Sequence, residues 1–201
     1  MQLSGYDPII NTTDQTATVV SVPTLEDKRI AAYGYDLMLK TAFNAVASLV
    51  VASTGFDFAT DVITSASHGL KLGMVYRFTT SGALPTGISA GTDYFIIPLT
   101  DDTFQIATTL ANAVAGTAVD FSDAGSGNHT LTQQTDVATY QIEVSPNLTD
   151  WFVYDAMSAV SVVGNSLASK HFECAAAYIR VKVTITKGNA STITCWLQGK
   201  G

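Results

Sequence analysis

The feature that most limits how this chain can fold is an alternation of apolar and polar residues near its end. Between Tyr178 and Lys187, apolar residues occupy every second position. Successive side chains of a β-strand point to opposite faces, so this pattern predicts an antiparallel strand with one buried face. Gly188-Asn189 suits a tight turn, and Ser191 to Gln198 alternates in the same way. The sequence therefore predicts that these two strands form a β-hairpin.

The composition agrees with a folded, β-rich chain. Of the 201 residues, 47% are hydrophobic and 13% are charged, and the 27 threonines equal all Asp, Glu, Lys and Arg residues together. A disordered chain needs low hydrophobicity with high net charge, and a coiled coil is rich in Glu, Lys, Arg and Leu. Neither description fits, so we expect a globular fold that buries roughly 70% of the extended-chain surface.

Charge and hydropathy argue against two classes of partner. Ten basic residues stand against 17 acidic ones, which gives a net charge of −7. A phosphate-binding surface needs clustered Lys and Arg, so no nucleic-acid partner is expected. The start of the chain lacks the basic and apolar regions of a signal peptide, and no stretch reaches the ~20 apolar residues that cross a bilayer. We therefore expect no membrane partner and synthesis in a cytoplasm.

The distribution of turns and acidic residues predicts how the chain is divided. Residues 1–15 are polar and are predicted to form an extended N-terminal arm. Residues 53–132 are dense in Gly and Asp and contain a series of short strand candidates, which is typical of a small β-barrel or sandwich module. The segments 16–52 and 133–201 each lack partners for a fold of their own. We therefore predict an all-β fold, with a jelly-roll-like antiparallel β-sandwich built from those two segments and the module inserted in one of its loops.

Three segments have less regular patterns. Tyr35 to Ala52 fits both a helix face and the period of strands, and the β-rich surroundings favour strands. Thr109 to Ala115 is rich in Ala and predicts one short helix. Ala118 to Phe121 is apolar enough to be one of the short strands of the module.

Two turn signals lie within the module. Leu84-Pro85-Thr86-Gly87 predicts a type I turn, because Pro fixes φ at the second position and Gly suits the fourth. His68-Gly69-Leu70 is interpreted as a second turn, in which Gly permits a positive φ and His68 bonds to the local backbone. Leu70 then anchors this turn in the core.

Residues with catalytic or metal-binding chemistry are isolated. His171 and Cys174 lie three residues apart, but a structural zinc site needs four ligands. Asp123 to Asn128 is loosely similar to a calcium loop and lacks both its alternating ligands and its closing Glu. The adjacent carboxylates Asp101 and Asp102 suit a solvated turn. We therefore predict no enzyme activity, no cofactor and no metal.

The order of several motifs resembles a β module common in virion proteins of tailed bacteriophages. The matching stretches run from His68 to Phe78, from Leu84 to Ile97 and from Thr103 to Thr108, followed by the Gly-rich turn and His-Thr-Leu of 125–131. The pattern departs at Met74, where the family usually has Asp. More loosely, Ser145–Trp151, Tyr178–Val183 and the ending Leu197–Lys200 resemble the jelly-roll-like sandwich of virion accessory proteins.

This resemblance implies a structural virion protein, most simply a capsid decoration or cement protein that bridges capsid subunits. A tail, neck, baseplate or fibre component and a carbohydrate-binding module of the virion are the alternatives. The expected partners are the major capsid protein or other virion proteins and further copies of this chain, as a trimer. The expected location is the virion, after synthesis in the cytoplasm of the bacterial host. The family offers no catalytic residues to transfer.

The candidate interface residues come from the arm and from the two tryptophans. The arm is expected to add a strand to a neighbour's sheet. Trp196 lies on the face opposite Ile193 and Cys195, which predicts that it is exposed or at an interface. An exposed tryptophan is also a platform on which a sugar ring can stack. The full set of candidates is Tyr6, Pro8, Ile9, Ile10, Trp151 and Trp196.

Overall fold

The structure is a computed structural model that describes residues 10–12, 19–20, 33–154, 160–174 and 178–200. Antiparallel β-strands dominate these residues, which confirms the all-β class and the antiparallel pairing predicted from the sequence. In chain order they are β1 (Ile10–Thr12), β2 (Val19–Val20), β3 (Tyr33–Phe43), β4 (Leu49–Ala52), β5 (Phe56–Asp57), β6 (Val62–Thr64), β7 (Val75–Thr80), β8 (Tyr94–Pro98), β9 (Thr103–Ala107), β10 (Asn128–Gln133), β11 (Val137–Ser145), β12 (Phe152–Val153), β13 (Val160–Val163), β14 (Ser166–Cys174), β15 (Tyr178–Lys187) and β16 (Ala190–Lys200).

The described residues form two units. The sandwich unit contains those up to Phe43, those from Val137 to Thr186 and those from Ala190 onward, and the module unit contains Asn44–Asp136 with Lys187–Asn189. The module unit therefore begins earlier than the predicted range 53–132. The reason is that β4 pairs with β10, so that it belongs to the sheet of the module.

The sandwich unit consists of two antiparallel sheets. One has the order β1-β16-β3-β14, and the other has the order β12-β11-β15-β2 with β13 also paired to β11. The apolar faces of β3 and β16 share one core with those of β11 and β15. The buried side chains of this core are Leu37, Leu39, Phe43, Ala138, Tyr140, Ile142, Ile179, Val181, Val183, Ile185, Ala190, Ile193 and Cys195. Burial of each large aliphatic side chain contributes about 1.5–3 kcal/mol, so this shared core is the main source of the unit's stability.

The two alternating segments near the chain end are strands, but the predicted hairpin between them is wrong. β15 lies in the sheet with β11 and β2, whereas β16 lies in the other sheet between β1 and β3. The chain thus crosses from one layer to the other at the turn. Both strands still bury their apolar faces, because those faces meet across the core instead of lying side by side in one sheet.

The module unit is built on one sheet of order β4-β10-β7-β8-β9-β6-β5. Neighbouring residues of β8 pack on opposite faces, so Ile96 contributes to the larger core cluster and Ile97 to a smaller one. The predicted helix is present as α1 (Leu110–Ala115), and its Ala113 packs in the smaller cluster. Thr109 caps this helix by accepting a hydrogen bond from the backbone N–H of Asn112 over 3.0 Å.

Two local predictions for the module are corrected. Ala118–Phe121 is not a strand, because its backbone groups do not form the regular hydrogen bonds of a sheet. The N–H of Phe121, for example, donates to the side chain of Asp61 over 3.0 Å. The Pro85 turn is displaced by one residue, since Ile88 N–H donates to Pro85 O over 3.0 Å. Gly87 is then the third residue of the turn, with φ of 108°, and not the fourth.

Candidate interaction surface

The loop between β11 and β12 is held by its own hydrogen bonds. Ser145 Oγ accepts from the N–H groups of Asn147 and Leu148 over 3.2 and 2.9 Å. Asn147 Oδ1 then accepts from the N–H groups of Thr149 and Asp150 over 3.0 and 2.9 Å. Such Asx-type bonding fixes the loop without help from another element.

Leu148 occupies an unusual position in this loop. Its φ is 67°, in the left-handed region that a branched residue such as Leu rarely adopts. Its side chain is 46% exposed. The hydrogen-bonded loop therefore holds an apolar side chain outward in a single backbone conformation.

Trp151 follows the loop and is held by direct contacts with two residues, Leu148 and Arg180. Its Nε1–H donates to Leu148 O over 3.1 Å, and the guanidinium of Arg180 covers one face of its ring. Arg180 Nε donates to Glu143 Oε2 over 2.6 Å, and Lys182 Nζ lies 3.8 Å from Glu143 Oε1. Glu143 is nearly buried, so the two cations compensate a carboxylate that has little access to water. One face of the indole is thus occupied where a sugar ring would stack.

Further apolar residues are exposed on β12, immediately after Trp151. Phe152 is 58% exposed and Val153 is 44% exposed. β12 lies at the edge of its sheet, where it pairs with β11. We name Leu148, Phe152 and Val153 the apolar edge. Several large exposed apolar residues in one short segment are typical of a protein-binding surface, whereas single ones are ordinary.

A second edge of the sandwich unit is long and regular. β14 pairs with β3 over its whole length, and within the described residues it has no other strand partner. Leu167, Ser169, His171 and Glu173 are its exposed side chains, and Leu167 is 68% exposed. An edge strand of this length presents backbone groups that another chain can pair with.

The predicted interface residues have separate outcomes. Tyr6, Pro8 and Ile9 lie outside the described residues, whereas Ile10 begins β1 and pairs with Cys195. Those residues of the predicted arm that are described, 10–12, therefore join a sheet of their own chain, and this differs from the expected addition to a neighbour. Trp196 is half-buried on β16, opposite Met38 of β3.

The residues that were weighed as metal ligands or catalytic groups are not brought together in the described structure. Asp123 Oδ1 accepts from the N–H groups of Thr86 and Gly125, and Oδ2 accepts from the Thr86 hydroxyl over 2.5 Å. These bonds, that of the Thr86 hydroxyl foremost, lower the pKa of Asp123. His171 is exposed on β14, and the side chain of Cys174 lies outside the described part. Among the described residues, no three His, Cys, Asp or Glu side chains are grouped as metal ligands.

The interpretation of His68 as a turn residue is confirmed. Its Nδ1 accepts a hydrogen bond from Leu70 N–H over 2.9 Å, so the proton of the neutral ring lies on Nε2. The ring packs edge-to-face on Phe104, with centroids 5.2 Å apart, and Leu70 is buried. A shallow cavity of about 300 Å³ adjoins this turn and is lined by His68, Gly69, Leu70, Lys71, Pro98, Leu99, Thr100 and Asp101. Nε2 itself is sealed from solvent.

Comparison with known proteins adds little. No protein-family model matches the chain, and no curated protein does. Among solved structures, a complex of VP16 and VP17, the two major capsid proteins of bacteriophage P23-77, is 9% identical, with a TM-score of 0.21 over 94% of this chain and 91% of that one. VP17, a capsid protein of the same phage, is also 9% identical, with a TM-score of 0.17 over 94% and 84% of the two chains. At such low scores neither similarity supports a statement about fold or function. In the described part of the chain, no helix is long and apolar enough to cross a membrane.

Proposed function

We propose that this chain is a structural protein of a tailed-phage virion and that it acts as a capsid decoration or cement protein. The observation that carries this proposal is the ordered set of phage-like motifs in the module. In the structure these motif residues make the turns and core of one β unit. Because the motif residues stabilise the fold of the module and do not form a catalytic site, we assign the module a structural role.

Individual motif residues support this reasoning. His68 and Leu70 form the bonded turn, and Pro85 O closes the second turn. His129 is fully buried, with Nδ1 3.0 Å from Thr80 Oγ1 and Nε2 3.1 Å from Ala124 O. Leu131 is fully buried in the core of the sheet.

The sandwich unit supplies the surface for assembly. The apolar edge and the exposed side of β14 are its two candidate contacts with neighbouring virion proteins. A stable interface buries at least about 1,000 Å² of total surface, which suits the combined use of a sheet edge and its adjoining loop. In this proposal the sandwich unit lies across the seams between capsid subunits and adds buried area there. A trimer of the chain remains our proposal for its oligomeric state.

The copy number in the virion tests the proposal. Peptides of this chain are quantified by mass spectrometry in purified particles, with the major capsid protein as internal standard. Copies near the number of capsid subunits, or a fixed fraction of it, support decoration. A few copies per particle would instead assign the chain to the neck, tail, baseplate or fibres. Absence from purified particles would overturn the virion assignment itself.

A further inference from the structure

A buried carboxylate in the module unit has no role in the surface described above. Asp136 is 6% exposed, and its Oδ1 is sealed from solvent without a hydrogen-bond partner. Its Oδ2 lies 3.5 Å from Gln133 Nε2, at the limit of a hydrogen bond. An ionised carboxylate with so few donors is unfavourable in such surroundings, whereas the protonated form is tolerated.

The carboxyl group of Asp136 packs directly on a turn of the same unit. At Gly188, which has φ of 95°, an added Cβ would lie 1.9 Å from Asp136 Oδ1 and 2.5 Å from its Cγ. Only glycine permits this approach. The turn and the carboxyl group are therefore in contact with no room for a donor between them.

The turn has other attachments in this unit. Asn189 Nδ2 donates to Leu72 O over 3.0 Å, and Asn44 Nδ2 donates to Asn189 Oδ1 over 2.6 Å. The backbone N–H of Asn44 donates to Asn189 O over 2.9 Å. Hydrogen exchange at the backbone N–H of Asn44 therefore reports whether the turn is in place.

Within the part of the chain that the structure describes, Lys187 and Tyr76 are the titratable groups that interact with Asp136. Lys187 attracts its negative charge, but the ammonium of Lys187 also forms an ion pair with Asp93, which accepts from Arg77 Nε over 2.6 Å. Tyr76 is fully buried nearby, and burial together with the charge of Asp136 raises the pKa of its hydroxyl. Burial raises the pKa of Asp136 to about 7, and the charge of Lys187 and a hydrogen bond from the backbone N–H of Asp136 itself only partly oppose this effect.

We propose that Asp136 is a proton-operated latch for the turn Lys187–Asn189. When the carboxyl group is protonated, the turn is seated on it and Oδ1 can remain sealed. When the proton leaves to solvent, the carboxylate gains hydration only if the turn lifts away, so ionisation favours the open turn. No covalent bond other than O–H is broken, and the hydrogen bonds that join Asn189 to Asn44 and Leu72 are released when the turn lifts.

The direction of the pH dependence follows from linkage. The closed form has a pKa of about 7, above the ordinary value of 3.8 that we assign to the open, hydrated form. Closure is therefore strongest below pH 3.8 and weakens as pH rises, until it levels off above pH 7. Each pH unit in that interval changes the opening equilibrium about tenfold.

Hydrogen exchange of the Asn44 amide in the full chain tests the latch. Protection, corrected for intrinsic exchange, is expected to fall about 30-fold between pH 5.5 and 8.5, because about 1.5 pH units of that range lie below the closed-form pKa. Asp136→Asn imitates the protonated form and is expected to keep Asn44 protected at both pH values. Asp101→Asn removes an exposed carboxylate and is expected to behave like the unaltered chain.

Three results would overturn the proposal. The first is Asn44 protection that does not change with pH in the unaltered chain. The second is an equal loss at the β10 amides, which would mean that the whole unit opens. The third, which needs no variant, is a carbon-13 titration in which the Asp136 carboxyl has a midpoint near 4 instead of near 7.

Discussion

The guanidinium carbon of Arg180 lies 4.1 Å from the centroid of the Trp151 ring. Arg180 is on β15, and Trp151 precedes β12, so this contact joins the edge of the sheet to its interior. Because Arg180 also donates to Glu143 on β11, the ring, the cation and the carboxylate form one stack. We conclude that the position of the apolar edge depends on this stack.

Replacement of Arg180 by Lys is expected to lower the free energy of unfolding by about 1–2 kcal/mol. Lysine keeps the charge but loses the bonded Nε and the planar group over Trp151. Urea unfolding followed by tryptophan fluorescence measures the change. Lys182→Met is the matched control. We expect a loss below about 0.5 kcal/mol, because the Lys182 ammonium lies 3.8 Å from Glu143 Oε1, too far for a hydrogen bond, and its side chain is 38% exposed. Equal losses in the two variants would contradict the role of the stack.

Leu148→Asn separates binding from folding. Asn adopts the left-handed conformation more readily than Leu, so stability is expected to be unchanged or slightly increased. If the apolar edge binds the capsid, loss of the Leu148 side chain is expected to weaken binding about tenfold, from roughly 1.5 kcal/mol of lost burial. Co-sedimentation with particles that lack this chain measures the affinity.

The control for that experiment is Leu99→Asn in the module unit. Leu99 is 49% exposed, much as Leu148 is, but it lies outside the apolar edge. We expect its substitution to leave particle binding unchanged. A Leu148→Asn variant that binds as tightly as the unaltered chain would remove the apolar edge from the proposed interface.

Gly87→Ala is expected to destabilise the module unit by several kcal/mol. An added Cβ would lie 2.4 Å from Asp120 O, and φ of 108° is unfavourable for Ala. Gly91→Ala is the control, since Gly91 also has a positive φ but no atom lies within 4 Å of the added Cβ. There we expect a loss of only about 1 kcal/mol. Similar losses in the two proteins, measured by urea unfolding, would show that the close approach is unimportant.

The Cys195 thiol is expected to be unreactive in the native protein. It is fully buried, and burial raises its pKa to about 12, so the reactive thiolate is scarce at neutral pH. In a Cys174→Ser background, a thiol reagent at pH 8 should react at the rate at which the sandwich unit opens. Rapid reaction that does not depend on added urea would contradict this prediction.

The strands could be predicted because alternation is a local property of the sequence. β15 and β16 were identified in this way, and the short helix α1 was identified from its Ala content. Alternation does not reveal which strand lies next to a given strand. Two strands with apolar faces can bury them as neighbours in one sheet or as members of two sheets that face each other. The sequence pattern is the same in both cases, and this is why the hairpin predicted for β15 and β16 is wrong. The start of the module was placed too late for a similar reason, since the partner of β4 is far away in the chain.

The candidate surface was predictable only in part. The residue type of Trp151 is enough to predict a candidate interface residue. Leu148 and Phe152 are not predictable in this way, because the fold decides which apolar residues are exposed. The positive φ of Leu148 depends on the hydrogen bonds of Ser145 and Asn147, which form only in the folded loop. Asp136 was missed because no local pattern distinguishes a buried Asp from a solvated one.

The pairing of Leu39 with Cys195 also bears on how the protein is made. β3 precedes the module unit in the chain, but its neighbours β14 and β16 follow that unit. Most of the module unit, in contrast, is complete once Asp136 has been synthesised. Translation therefore favours folding of the inserted part before β3 obtains its neighbouring strands, and the apolar face of β3 stays uncovered until β14 and β16 have been made.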